Sequence, residues 1–466
     1  MVFDQRSVVV GSAYRELTPR YPQPGWVELD PDEVWQSTRA VCAQALAAAQ
    51  LSPRDLAGIG ICNQRSTALV WERASGRPVY PAIVWQDTRT AARVPALLEQ
   101  GLFTNAMASA TKLEWVLRTL SNDTQRELCF GTIDSWLVWK LTGGAVHVTD
   151  CSNASCTGLY DAMQNTWDAH ALGILQIPAV MLPRICASSE VGGSTAAAVF
   201  GAEIPIAGLA GDQQAAMFGE MAIEPGAVKI TYGTSAMADV NTGGLPVLSR
   251  RGAYPLILWG LDGARTWCLE GTAISAGAAV QWLRDGLGVL RTLDESAALA
   301  ASVPDSGGVW AVPAFQGLGT PHMDPHARAV IGGLSRASTR AHVVHAMLEG
   351  IAYRSREVLE TLLEDSSTPR PARLRVDGGA AANDFLLQRL ADVLGLPVER
   401  PQSVHASALG AAYLAGLATG VWSDLDQLKV AWRSGGVFEP RWSADRREST
   451  YRAWQRAISA ARERIF

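Results

Sequence analysis

Lysine is scarce in this chain: of 40 basic residues only four, at positions 112, 140, 229 and 429, are Lys. So much Arg and Ala is a compositional habit, and no function is read into it. An excess of positive charge is also lacking. With 45 acidic residues the net charge is −5, which offers no field for a polyanion and excludes a nucleic-acid coat or a binder of anionic membranes. No stretch approaches the ~18 uncharged apolar residues of a membrane span. The opening MVFDQR has no apolar run behind a basic region, so no signal peptide is expected. Cysteine is sparse and scattered: the seven (42, 62, 129, 151, 156, 186, 268) include no C-x-x-C, and they read as reduced, mostly packed thiols of a cytoplasmic protein. Short-period repeats and low-complexity tracts are missing as well.

What is present is apolar: 48% of the residues are hydrophobic and 18% charged, which rules out disorder as the main state. A chain of 466 residues exceeds one ordinary core, so two or three domains are expected. Short β-like runs alternate with helical stretches, the pattern of an α/β protein. Buried strands are predicted over 56–62, 79–84 and 204–209 in the first half, and over 228–232, 309–313 and 374–377 in the second. Helices are predicted over 32–49, started by Pro31-Asp32, and over 344–363. The sequence Glu224-Pro225-Gly226 breaks a helix before a new strand, which divides the chain into 1–222 and 223–466, with ligands expected in a cleft between the lobes.

Four segments could carry chemistry. In Gly208-Leu209-Ala210-Gly211-Asp212-Gln213-Gln214 a strand ends, two glycines turn the chain and Asp212 opens a helix. Its carboxylate, held as the anion by the helix N–H groups, could take a proton from a substrate hydroxyl; an N-cap Asp is the competing and commoner reading. Thr231-Tyr232-Gly233-Thr234-Ser235 follows a strand and could cradle phosphate with backbone N–H groups and hydroxyls, though it also fits an ordinary turn. No P-loop sequence occurs. Val376-Asp377-Gly378-Gly379-Ala380-Ala381-Ala382-Asn383-Asp384 allows flat, close approach of a ligand such as an adenine ring, or simply close helix–strand packing; Ala276-Gly277-Ala278-Ala279-Val280-Gln281 offers similar small residues and an amide. Finally, Asn63-Gln64-Arg65-Ser66-Thr67 and Ile83-Val84-Trp85-Gln86-Asp87 could grip a small polar molecule, or hold a surface salt bridge and a packed indole.

Taken in order, these segments resemble the FGGY carbohydrate kinases, and within them the glycerol kinases. The resemblance is carried by YPQPGWVELDPDEVW (21–35), GICNQRST (60–67), AIVWQDTRT (82–90), SATKLEW (109–115), FGTIDSWLVWKLTGG (130–144), HVTDCSNAS (147–155), GLAGDQQAAMFG (208–219) and YGTS (232–235). AGAAVQWLRD (276–285), VPAFQGLGTP (312–321), LRVDGGAAAND (374–384) and ALGAAYLAG (408–416) extend it over essentially the whole chain. It implies two ribonuclease-H/actin-like lobes, the first polyol-binding and the second nucleotide-binding, that close over ATP, Mg²⁺ and a polyol, with no nucleic acid and no membrane as partner and the oligomeric state open. Catalysis would then rest on positioning and charge stabilisation. By the same resemblance Asp212 would be the base. Arg65, Ser66, Trp85, Met107, Gln213 and Met237 would meet the acceptor. Gly233 and Thr234 would hold the phosphates, and Gly277, Gln281, Gly378, Gly379 and Asn383 would line the adenosine pocket; a metal ligand is not identified.

The chain departs from the pattern at its start and at the acceptor site, among other places. The family's opening strand and its D-Q-G-T-T-S-x-R phosphate turn have no counterpart, because Met1-Val2-Phe3-Asp4 matches the end of the second strand. Either the true start lies upstream, or weak kinase activity, a degenerate binding protein and a marginal first lobe are expected. At the acceptor, Ser66, Met107 and Met237 replace an acidic and two aromatic residues, which suggests a wider pocket and a larger polyol or sugar as the alternative substrate.

Overall fold

The computed structural model describes residues 1–120, 127–403 and 405–463. Two units emerge. The first comprises Met1–Gly219, Ile257–Arg265 and Ser407–Ala431; the second comprises Glu220–Leu256, Thr266–Ala406 and Trp432–Phe466. A single division at 222/223 therefore misses two excursions of the later chain back into the first unit.

In the first unit, strand Pro205–Gly211 pairs antiparallel with Ser189–Ser194 and parallel with Ile59–Asn63. The near-continuous small and apolar run Ile206–Gly211 suits a strand buried on both faces. Glycines let a helix lie directly on it. A Cβ at Gly60 would sit 2.1 Å, and one at Gly208 2.6 Å, from the carbonyl oxygen of Ala411, in the helix Ala406–Ala418. The N-terminal hairpin Val2–Phe3/Val9–Gly11 is a separate sheet, tied down by Trp422 Nε1 donating to the Gln5 carbonyl (3.1 Å) and by Tyr413 donating to Ser7 (2.8 Å). Among the described residues, Ile59–Asn63 pairs with Pro205–Gly211 alone. Cys62, Asn63 and Gln64 line a cavity of about 450 Å³ whose other walls include Leu29, Val34, Trp85 and Ile133.

The second unit is built on a sheet in which Val228–Tyr232 lies between antiparallel Ala236–Gly243 and parallel Leu374–Asp377, followed by Val398–Pro401 and Ser434–Phe438. Against it packs a long helix, Arg340–Ser366, whose Val344, Leu348, Ile351, Leu359 and Leu362 are buried. It is longer at both ends than the predicted 344–363: Thr339 and His342 form a capping box in which His replaces the usual Glu, and Ser367 ends it in a left-handed conformation.

Other expectations are met or trimmed locally. Strands Val228–Tyr232 and Leu374–Asp377 fall where predicted, and 309–313 is a strand over Trp310–Val312. The predicted 56–62 begins at Ile59, because Pro53–Asp55 forms a 3₁₀ turn that ends at Leu56. The predicted 79–84 shrinks to Ala82–Ile83, since Pro81 cannot donate to a ladder. Helix Pro31–Ala49 starts one residue early, capped by the Asp30 carboxylate on the Asp32 N–H (3.0 Å).

Candidate functional site

Strand register brings two distant motifs together. Asn63 lies opposite Gly211 in the parallel pair, so the residues that leave both strands, Gln64-Arg65-Ser66 and Asp212-Gln213, emerge side by side. Arg65 Nε is 3.2 Å from Asp212 Oδ1, and the Gln213 N–H donates to the same oxygen at 2.9 Å. Asp212 begins the helix Asp212–Gly219, as expected. Its side chain keeps 39% of its surface exposed, against 14% for Arg65. This is a carboxylate supported by a guanidinium and a helix start yet open to a ligand, not an N-cap turned wholly into the backbone. Its own carbonyl accepts from Ser407 Oγ at 3.0 Å.

The turn beneath it is crowded. A Cβ at Gly211 would lie 2.6 Å from Gln214 Oε1 and 2.7 Å from Arg65 Cγ, so a larger residue would push the Arg65 side chain from its place. The Gly211 N–H donates to Ser152 (3.0 Å), and Asn63 and Asn153 exchange amide hydrogen bonds (3.0 and 3.2 Å). Cys62, behind Asp212, has its thiol pushed up to about 12 by burial and then by the Asp212 charge, so it remains a protonated packing group. Ser66 is held at φ +61° with its hydroxyl donating to the Cys156 carbonyl (2.8 Å), so its proton is committed inward.

Trp85 and Met107 are half-exposed. A buried ion pair lies close to Trp85 in the chain. The Arg89 side chain is fully buried, donates to both oxygens of Asp87 and to Glu28, and stacks 3.8 Å over Trp26.

In the second unit the strand exits are set by a buried charge cluster. Lys229 is fully buried, 3.1 Å from Asp239 and 2.6 Å from Thr231, which in turn donates to Asp377. Tyr232-Gly233 and Asp377-Gly378 leave the sheet above this cluster. Gly233 and Thr234 are exposed, but their carbonyls accept the N–H groups of Gly277, Ala276 and Ala278, so this turn caps the helix Gly277–Asp285. Gln281 is exposed one helical turn on. Gly378 sits at φ +86° with its Cβ position 2.4 Å from the Tyr232 carbonyl, while Gly379 faces open space. Gly378 also lines a cavity of about 380 Å³ with Ala381, Ala382, Arg400 and Gln402. Asn383 is also a helix cap: its side-chain oxygen accepts the Leu386 N–H (2.9 Å) and its side-chain amide donates to Ser296 (3.0 Å). Met237 belongs to this unit, with Thr272 donating to its sulfur (3.3 Å).

Two residues without an expected role stand close by: Cys156, whose sulfur lies 3.9 Å from Arg65 and 3.8 Å from Gln214, and Lys112. Lys112 stands in SATKLEW and Cys156 directly follows HVTDCSNAS, but only the folded neighbours show what they touch.

Residues 1–219 match the N-terminal domain, and residues 228–419 the C-terminal domain, of the FGGY family of carbohydrate kinases. The chain belongs to that family, with its two-domain actin-like fold, and is a phosphotransferase with an alcohol acceptor. It is 48% identical over 478 residues to a glycerol kinase of Carboxydothermus hydrogenoformans, covering 99% of this chain and 95% of that one. It is 47% identical over 473 residues to glycerol kinase 2 of Thermotoga maritima, covering 98% and 95%. The crystal structure of Plasmodium falciparum glycerol kinase with ADP superposes with a TM-score of 0.91 at 30% identity, covering 99% and 96%. Among the described residues no helix is long and apolar enough to cross a membrane.

Proposed function

We propose that the chain phosphorylates a primary hydroxyl of glycerol, giving glycerol 3-phosphate, with ATP as donor. The observation that carries this reading is the exposed Asp212 carboxylate set against Arg65 at the ends of two neighbouring parallel strands, in a chain nearly half identical to glycerol kinases. Asp212 takes the proton of the hydroxyl as its oxygen attacks the terminal phosphorus and ADP leaves. Arg65 and Gln213 orient the polyol, and Trp85 and Met107 offer carbon surface to it. Ser66 contributes shape, its hydroxyl being engaged elsewhere.

For the nucleotide, the open face of Gly379, the cavity beside Gly378 and the exposed Gly233 and Thr234 fit a flat ring and phosphates. Gly277 and Gln281 line the base side, and Asn383 acts by fixing the turn. Among the described residues no group of three or more His, Cys, Asp or Glu could hold a metal ion. Magnesium bound with the ATP phosphates would supply charge neutralisation there. The cysteines described are all free thiols, which supports a cytoplasmic setting.

The test is a substrate screen with ATP, comparing glycerol with four-carbon polyols and ketoses. A glycerol kcat/KM above all others is expected. A larger polyol or ketose ahead of glycerol would overturn the acceptor assignment, and no ATP-dependent turnover of any alcohol would overturn the reading altogether.

A further inference from the structure

Lys112 is fully buried at the fourth position of the helix Ser109–Thr119. A buried lysine ordinarily needs a carboxylate partner. Here the three N–H groups of the ammonium go instead to three main-chain carbonyls: Trp85 at 3.2 Å, Met107, and Ala108 at 3.4 Å. The first two belong to the half-exposed residues assigned to the acceptor, which stand on separate loops. We propose that Lys112 is a positioning residue: by holding both carbonyls on one buried ammonium it sets the spacing of the Trp85 and Met107 walls, and so the fit of the polyol. This inference rests on the acceptor reading above.

The charged groups that act on Lys112 are Asp87 and Arg89, on the loop that also carries Trp85. Asp87 favours the ammonium and Arg89 opposes it; Glu28 is taken up by Arg89, and Glu114 on the same helix by Arg93 and Arg118. Burial outweighs them and brings the ammonium down to about 7. An ammonium satisfies three acceptors. The neutral amine keeps two N–H groups and turns a lone pair towards the third carbonyl, so the walls loosen as the proton leaves.

The test compares the full chain with Lys112→Met and Lys112→Arg, measuring kcat and both KM values from about pH 6 to about pH 9. For Lys112→Met the glycerol KM should rise about tenfold or more while kcat and the ATP KM stay within about threefold. The wild-type glycerol KM should rise as pH passes about 7, a dependence lost in Lys112→Met and also in Lys112→Arg, whose guanidinium does not titrate there. An unchanged glycerol KM in Lys112→Met, or equal rises for glycerol and ATP, overturns the proposal. If the wild type phosphorylates no glycerol, the acceptor reading has failed by itself. Lys112 is then judged by hydrogen–deuterium exchange over residues 104–112: faster exchange in Lys112→Met supports the wall-spacing role, and equal exchange overturns it. Should Lys112→Met not fold, the wild-type pH profile and Lys112→Arg decide.

Discussion

Asp212→Asn separates chemistry from support. The substitution keeps the shape and leaves an oxygen to accept the Gln213 N–H, but it removes the charge. Two costs can be compared. Against stability, the change loses an ion pair at 3.2 Å from Arg65, and with 39% of the Asp212 side chain exposed, solvent screening limits that loss to about 0–1 kcal/mol. Against the reaction, the loss of a general base costs roughly 10²–10⁴ in rate, or about 3–5 kcal/mol of barrier. The predicted signature is thus a kcat lowered at least about a hundredfold with a melting temperature within about 3 °C of the wild type. Coupled detection of ADP release at saturating glycerol and ATP gives the first quantity, and a thermal melt gives the second. A kcat within about threefold of wild type would remove Asp212 from the base role. A melting temperature that falls far in step with activity would show that the carboxylate is a structural support.

Three further outcomes are expected. Asp87→Asn leaves the buried Arg89 guanidinium short of its main partner and should cost about 3–5 kcal/mol in chemical denaturation; a loss below about 1 kcal/mol would show that Glu28 suffices. Gly410→Ala places a Cβ 1.8 Å from the Ala215 carbonyl and should destabilise by about 1–3 kcal/mol although alanine favours helices, whereas Gly379→Ala points into open space and should change the ATP KM and not the melting temperature. His147, whose Nε2–H donates to the Phe130 carbonyl (2.8 Å), is brought down to about 4 by burial. The unfolded chain therefore binds this proton first, and stability should fall as pH drops from about 6.5 towards about 4. Asp134, pushed up to about 6 by burial, works in the opposite sense, so the readout is the difference between wild type and His147→Phe, which should lose this acid sensitivity. Identical pH slopes for the two proteins would refute it.

The parts of the structure that depend on local pattern were legible in the sequence. The strands Val228–Tyr232 and Leu374–Asp377, and Asp212 at a helix start, all follow from turn residues and periodicity. What pattern could not convey is pairing across the chain. The contact of Arg65 with Asp212 exists because Asn63 and Gly211 share a register 148 positions apart, and nothing local encodes that number. Likewise, nothing local in the sequence indicates that the Ser66 hydroxyl donates to the Cys156 carbonyl or that the Asn383 amide donates to Ser296. A residue type predicts what a side chain can bond, whereas only the folded neighbours decide which bond it makes.

The stretch 407–431 gives the first unit part of its substance from near the end of the polypeptide. Its helix covers Gly60 and Gly208, its Ser407 steadies the Asp212 carbonyl, and its Tyr413 and Trp422 moor the opening hairpin. A ribosome delivers this piece only after most of the second unit, so the early half of the nascent chain waits, with a small-residue sheet face uncovered, until synthesis is nearly finished. A release of the chain before residue 407 would thus yield a first half that carries the Asp212 motif and lacks the helix that seals it.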